Sequence, residues 1–126
     1  MNKRAIGNIG EAAVCRYLEE RGYTIRERNF CVRGGEIDII AQKGEEICFV
    51  EVKTRRVGSW ETGDEAVTRT KINRIIRTAY DYFERRDINA NDWYVRYDIA
   101  SVEHWQGSVV NIDYLEAAFD ESEFSW

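Results

Sequence analysis

The length and composition indicate one globular domain, because the 126 residues are 44% hydrophobic and 33% charged. We expect no membrane partner and no signal peptide, since no apolar run approaches the about 20 residues of a bilayer span. Three widely spaced cysteines indicate reduced thiols and a cytoplasmic location. A single histidine and the lack of a glycine-rich nucleotide motif exclude histidine-based zinc sites and common nucleotide sites. Enzyme chemistry in this chain would therefore depend on carboxylates, lysines and a hard metal ion.

Hydrophobic periodicity predicts alternating helices and strands along the chain. The predicted elements are a helix over 6–21, strands over 36–41 and 46–53, a loop over 55–64, a second helix capped by Thr68, and strands over 92–102 and 109–114. This order favours an α/β fold in which a mixed sheet is flanked by helices, as a single domain over 1–126.

Charge is distributed unevenly along the chain, whose net charge is −5. Residues 53–77 carry 7 basic and 3 acidic side chains, whereas residues 78–126 carry 3 basic and 11 acidic ones. We therefore expect an acidic C-terminal tail from about residue 113. An acidic chain is not a general nucleic-acid binder, but the basic block leaves a local anion-binding face open.

A cluster of carboxylates is predicted where two strands meet. Strand side chains alternate between faces, so Glu36 shares a face with Asp38, and Glu51 shares one with Lys53. If the short turn at 43–46 pairs these strands, three carboxylates and one lysine converge. Buried carboxylates need a counter-charge, and Mg²⁺ or Mn²⁺ would supply it through oxygen ligands. The alternative is a solvated strand face with a cross-strand ion pair.

Two other features extend this prediction. Glu11 flanks the apolar stripe of the first helix, from which it can reach toward Asp38, although an ordinary helix-flank charge is the alternative. Arg55 and Arg56 open the loop beside the cluster, and Lys71 and Arg74 follow on the second helix. We expect these four basic residues to contact a phosphate backbone. The alternative for Lys71 and Arg74 is that they form only the polar face of the second helix.

Six short motifs occur in an order that resembles the bacterial YraN-like family, whose members are inferred to be endonucleases. The motifs are Gly10-Glu11-Ala12-Ala13, Gly34-Gly35-Glu36-Ile37-Asp38-Ile39-Ile40, Phe49-Val50-Glu51-Val52-Lys53-Thr54-Arg55, Ala66-Val67-Thr68 with Lys71, Arg96-Tyr97-Asp98-Ile99 and Ala118-Phe119. The Asp38 and Glu51-Val52-Lys53 pair also resembles the PD-(D/E)xK core of restriction-endonuclease-like nucleases, and the resemblance covers nearly the whole chain.

The resemblance implies a restriction-endonuclease-like mixed sheet, similar to that of archaeal Holliday-junction resolvases. It implies that Asp38 and Glu51 bind Mg²⁺ or Mn²⁺ together with the backbone carbonyl of Val52, that Lys53 is catalytic, and that Glu11 is an outer metal ligand. The expected function is metal-dependent hydrolysis of DNA, including branched or single-stranded DNA. The alternative is a catalytically weak nucleic-acid-binding or repair-complex module, with a homodimer and a repair-protein partner left open.

Overall fold

A computed structural model describes residues 1–59 and 68–124, which form two α-helices, five β-strands and two short 3-10 turns. In chain order the helices and strands are α1 (Lys3–Glu20), β1 (Thr24–Val32), β2 (Gly35–Lys43), β3 (Glu46–Arg56), α2 (Arg69–Arg85), β4 (Tyr94–Trp105) and β5 (Ser108–Phe119).

The five strands form one mixed sheet in the order β1-β2-β3-β4-β5. The pairs β1–β2, β2–β3 and β4–β5 are antiparallel, whereas β3 and β4 are parallel because α2 connects them across a face of the sheet. The hairpin predicted at 43–46 is confirmed, with Lys43 opposite Glu46. The predicted α/β class with a helix-flanked mixed sheet is therefore confirmed.

Each face of the sheet is covered by one helix, and this divides the core into two layers. Successive residues of β3 point to opposite faces, so that Cys48 and Val50 pack under α1 while Ile47 and Phe49 pack under α2. The largest fully buried side chains are Tyr82, Phe49, Leu18, Ile37, Ile39, Ile40, Ile47 and Ile76. The central strand β3 is buried on both faces, which fixes the position of the residues at its far end.

The helices begin where side chains cap them. Thr68 accepts a hydrogen bond from the backbone N–H of Lys71 at 3.2 Å, which confirms the predicted N-cap. The first helix begins at Lys3, three residues earlier than predicted, because Asn2 accepts a hydrogen bond from the Ala5 N–H. Gly22 has a φ of 92°, as expected of a glycine that follows a helix end.

Several expectations from the sequence need correction. The single histidine, His104, is buried in β4, whereas Cys31 is the one exposed cysteine among the three. The acidic tail expected from about residue 113 is largely part of β5, which continues to Phe119 because it pairs along β4 as an edge strand. The predicted loop over 55–64 lies partly in β3, and its residues 60–64 lie outside the described residues.

Within residues 1–59 and 68–124, no helix is long and apolar enough to cross a membrane.

Candidate active site

A cleft of about 580 Å³ opens between α2 and the strands β2 and β3. Its lining includes Gly35, Glu36, Asp38, Glu51, Lys71 and Arg74. It is therefore the place where the carboxylates predicted to converge from β2 and β3 meet the basic side chains at the start of α2.

Asp38 is fixed at the point where β2 and β3 separate. The register between these strands runs from Lys43 opposite Glu46 to Ile39 opposite Val50. Beyond that pair, the Asp38 carboxylate replaces a backbone carbonyl as the hydrogen-bond acceptor, and the N–H of Val52 donates to its Oδ2 at 2.8 Å. The aspartate is therefore held against the backbone of β3 in one orientation.

The pKa of the Asp38 carboxyl is raised to about 7 from an ordinary value of 3.8. Burial is the main cause, and the nearby charge of Glu51 is the second; Glu11 and Glu36 also raise the pKa. The hydrogen bond from Val52 acts in the opposite direction. Burial and like charge together disfavour the ionised form of Asp38. A cation at this position would stabilise the carboxylate and so lower its pKa.

Glu51 forms a short ion pair with α2. Its Oε1 lies 2.7 Å from the Lys71 Nζ, and the Glu51 side chain is only 13% exposed, compared with 39% for Lys71. The sequence predicts that Lys71 contacts a phosphate, and no spacing in it indicates this pair with Glu51. The two residues are far apart in the sequence, and only the packing of α2 against β2 and β3 brings them together.

Glu11 approaches the cluster from α1, on the other helix layer. Burial raises the pKa of its carboxyl, Arg28 and a side-chain hydrogen bond with Asn29 lower it, and Glu36 and Glu51 raise it further. The guanidinium Nη2 of Arg28 lies 3.8 Å from the Oε1 of Glu11. No described residue donates a hydrogen bond to this buried oxygen. The sequence prediction that Glu11 reaches toward the site of Asp38 is consistent with their electrostatic interaction.

A close helix–strand contact brings Glu11 to this position. A Cβ added to Gly10 would lie 2.0 Å from the Thr54 Oγ1, so only glycine allows α1 to approach β3 so closely. Gly35 plays the same part for α2, because its Cβ would lie 1.9 Å from the Thr78 Oγ1. The sequence motifs contained both glycines, but their packing role becomes visible only in three dimensions.

The five basic residues of the predicted site lie in β3 or near the start of α2, the elements that also carry Glu51 and line the cleft. Lys53 is half-buried two residues after Glu51 in β3, and the alternation of the strand puts both on the α2 face. Lys71 and Arg74 line the cleft, whereas Arg55 is half-buried and Arg56 exposed at the end of β3. The positive charges thus come from two elements, the end of β3 and the first turns of α2, and only those of α2 line the cleft.

The described part of the chain contains no group of three or more His, Cys, Asp or Glu side chains close enough together to hold a metal ion. Two of the predicted ligands, Asp38 and Glu51, line the same cleft, while Glu11 belongs to the opposite helix layer. In this arrangement Lys71 is the direct counter-charge of Glu51.

Comparison with known proteins finds relatives along nearly the whole chain. The model of a family described as "Uncharacterised protein family UPF0102" matches residues 10–102. A UPF0102 protein of Caldicellulosiruptor saccharolyticus is 42% identical over 120 residues, which cover 94% of this chain and 100% of the relative. A UPF0102 protein of Myxococcus xanthus is 34% identical over 118 residues, covering 94% of this chain and 91% of the relative. The whole cleft lies within the matched region.

Proposed function

The chain belongs to the UPF0102, or YraN, family, and on that premise we propose that it is a metal-dependent endonuclease that hydrolyses DNA phosphodiester bonds. Membership confirms the resemblance seen in the motifs. The activity itself is our proposal, and it is supported by the chemistry of the cleft.

The observation that carries this proposal is the state of Asp38. Asp38 is half-buried and interacts with three other carboxylates, and both its burial and these like charges raise its pKa. Such an arrangement lowers the stability of the folded protein when Asp38 is ionised, so folding by itself does not explain it. Such perturbed groups in a cleft are typical of sites that bind a charged ligand. The ligand that a carboxylate cluster without histidine favours is a hard divalent cation.

The oxygen chemistry of the available donors suits Mg²⁺ or Mn²⁺. Oxygen ligands would come from Asp38, Glu51 and the Val52 carbonyl, with Glu11 as an outer ligand whose buried Oε1 has no hydrogen-bond donor among the described residues. When bound, the ion would lower the pKa of a coordinated water and offset charge on the phosphoryl oxygens. Of these donors, Asp38 and Glu51 line the same cleft, so both could reach one ion there if Lys71 gives up Glu51.

Lys53 is the residue that we assign to the chemical step. In phosphodiester hydrolysis, water forms a new P–O bond, the bond to the leaving sugar oxygen breaks, and that oxygen gains the proton that the water loses. A lysine on the same strand face as Glu51 would orient the water or stabilise the negative charge that develops on the phosphoryl group. As a cation it would not be a metal ligand.

The basic rim would hold the DNA backbone beside these residues. Lys71 and Arg74 line the cleft, and Arg55 and Arg56 are the last two residues of β3, the strand that carries Lys53. The net charge of −5 leaves no general attraction for nucleic acid, so binding depends on this local rim. A local rim suits branched or single-stranded DNA, whose backbone can enter a cleft more easily than that of a continuous duplex.

The test is a cleavage assay of the full chain on fluorescent linear, flapped, four-way and single-stranded DNAs, with Mn²⁺, Mg²⁺ or EDTA. We expect cleavage that needs the metal and disappears in Asp38→Asn. We expect Lys53→Ala to reduce the rate by about 10²–10⁴ while the Mn²⁺ affinity stays nearly unchanged. Arg85→Gln, an exposed change in the last turn of α2, is the matched control and should cleave as fast as the original protein.

A second candidate is a binding module on the same fold, which recognises nucleic acid or a repair protein but turns over poorly. It is favoured by the lack of a metal-ready group of three ligands among the described residues. DNA binding that is independent of Mn²⁺ and of Asp38, with no cleavage of any substrate, would support the module and contradict the nuclease.

A further inference from the structure

The ion pair between Glu51 and Lys71 joins a proposed metal ligand to a proposed phosphate contact. The two charged atoms are 2.7 Å apart, which is the distance of a charge-assisted hydrogen bond. Lys71 therefore has two competing partners, a carboxylate in the cleft and any phosphate that enters it. Glu51 likewise has two, the ammonium group and a divalent cation.

The two ends of this pair differ in freedom. Glu51 is 13% exposed and belongs to the central strand, whereas Lys71 is 39% exposed and has a long flexible stem. The backbone of Lys71 is fixed, because its N–H donates to the Thr68 cap at the start of α2. The ammonium group can thus change partner without movement of the helix, while the carboxylate stays in place.

The position of Lys71 in the helix also makes it easy to displace. It lies in the first turn of α2, which contains no acidic residue. The helix dipole disfavours a positive charge at that end. The negative charge of Glu51 offsets this unfavourable interaction of Lys71 with the helix dipole. A phosphate in the same cleft could offset it equally well when Glu51 binds a cation instead of Lys71.

We propose that Lys71 is an exchangeable counter-ion, which neutralises Glu51 in the metal-free protein and moves to a DNA phosphate when a divalent cation takes Glu51. The inference rests on the proposed function and adds a coupling between its two ligands. The metal frees Lys71 for the phosphate, and the phosphate draws Lys71 away from Glu51. By thermodynamic linkage, each ligand then strengthens binding of the other by the same factor.

The first test measures Mn²⁺ binding by titration calorimetry in the absence of DNA. Lys71→Gln removes the competitor and should bind Mn²⁺ about fivefold more tightly than the original protein, as expected for the loss of one partly exposed ion pair. Lys71→Arg keeps the charge and should show no gain. Arg85→Gln removes one charge about 21 Å farther along the helix, at 1.5 Å per residue, and should also show no gain.

A second measurement does not depend on metal titration. Without metal, Lys71→Gln should unfold at a lower temperature than the original protein, because Glu51 loses its counter-charge beside Asp38. Addition of Mn²⁺ should then raise its melting temperature by more than it raises that of the original protein. An equal increase in both proteins would overturn the proposal.

The third test measures the coupling itself. The affinity for a fluorescent four-way DNA is determined with Ca²⁺, as a cation expected to support binding without rapid cleavage, and with EDTA. The gain produced by Ca²⁺ should be about fivefold larger in the original protein than in Lys71→Gln, matching the expected gain in Mn²⁺ affinity by linkage.

The outcomes separate this inference from the proposed function. If Asp38→Asn loses Mn²⁺ binding but Lys71→Gln binds as the original protein does, the exchange is wrong and the metal site stands. If Asp38→Asn binds Mn²⁺ unchanged, or no variant binds it, the proposed function fails and the inference fails with it.

Discussion

The replacement Asp38→Asn should change how the stability of the metal-free protein depends on pH. Asparagine keeps an oxygen that can accept the Val52 N–H, and it removes the charge that burial and Glu51 oppose. The folded protein retains a proton on Asp38 up to a pKa of about 7, whereas in the unfolded chain the carboxyl ionises near 3.8. Between these values the folded state binds more protons, so the original protein loses stability as the pH rises from about 4 to about 7.

The size of the effect follows from the difference between the two pKa values. At about 1.4 kcal/mol for each tenfold change in proton affinity, the interval between 3.8 and about 7 corresponds to at most about 4 kcal/mol. Asp38 retains some contact with solvent, so we expect about 2–3 kcal/mol after screening. The asparagine variant should lack this loss and should be more stable than the original protein by that amount at about pH 8.

Urea unfolding followed by tryptophan fluorescence at about pH 5 and about pH 8 measures this difference. Asp113→Asn, an exposed change in β5, is the matched control and should keep the pH dependence of the original protein. Saturating Mn²⁺ should remove much of the loss at high pH, because the cation favours the ionised carboxylate. If Asp38→Asn and the original protein show the same pH dependence, the electrostatic account of the cleft is wrong.

Two further replacements test the framework that holds the cleft. Gly10→Ala should lower the free energy of unfolding, measured in urea, by about 1–3 kcal/mol, because the added Cβ meets the Thr54 side chain. A second change in the same chain, Thr54→Ala, should restore part of this loss. If Gly10→Ala alone causes no loss, α1 can move away from β3 freely. Asp98→Asn should lower the free energy of unfolding by about 3–5 kcal/mol in the same assay. The Asp98 carboxylate is fully buried and accepts hydrogen bonds from Arg96, Tyr114 and the Ala117 N–H. An equally stable variant would mean that Arg96 finds another partner.

The sequence was sufficient to predict the part of the site that depends on local pattern. Alternation in β2 and β3, with Gly44 between them at a φ of 59°, specifies a hairpin, and a hairpin brings Asp38 toward Glu51. The strict alternation fails at Asp38 itself. Ile37 packs under α2 and Ile39 under α1, so the strand departs from simple period-two geometry where its aspartate turns toward β3.

Contacts between distant segments could not be predicted in the same way. The Glu51–Lys71 pair depends on where α2 lies over the sheet, and the burial of His104 depends on which segments pack over the end of β4. Such contacts have no spacing rule in the sequence. Hydrophobic periodicity identifies which face of a helix is buried but not which residues of another element lie opposite it.

The direction in which DNA crosses the cleft is the last prediction. The basic residues lie at the end of β3 and near the start of α2, whereas the acidic residues Asp120 and Glu121 follow β5 in a segment that packs against α2 near Tyr80, farther along that helix. Arg55→Gln combined with Arg74→Gln should therefore weaken binding of four-way DNA and lower the slope of log affinity against log salt by about 1.8, or about 0.9 for each phosphate contact. The control pair Arg4→Gln with Arg85→Gln removes the same charge elsewhere and should leave the slope nearly unchanged. Asp120→Asn with Glu121→Gln should not weaken binding, because those carboxylates repel the backbone. An unchanged slope in the first pair, or a loss of binding in the last, would mean that the phosphates follow another surface and that Arg55 and Arg74 serve the fold alone.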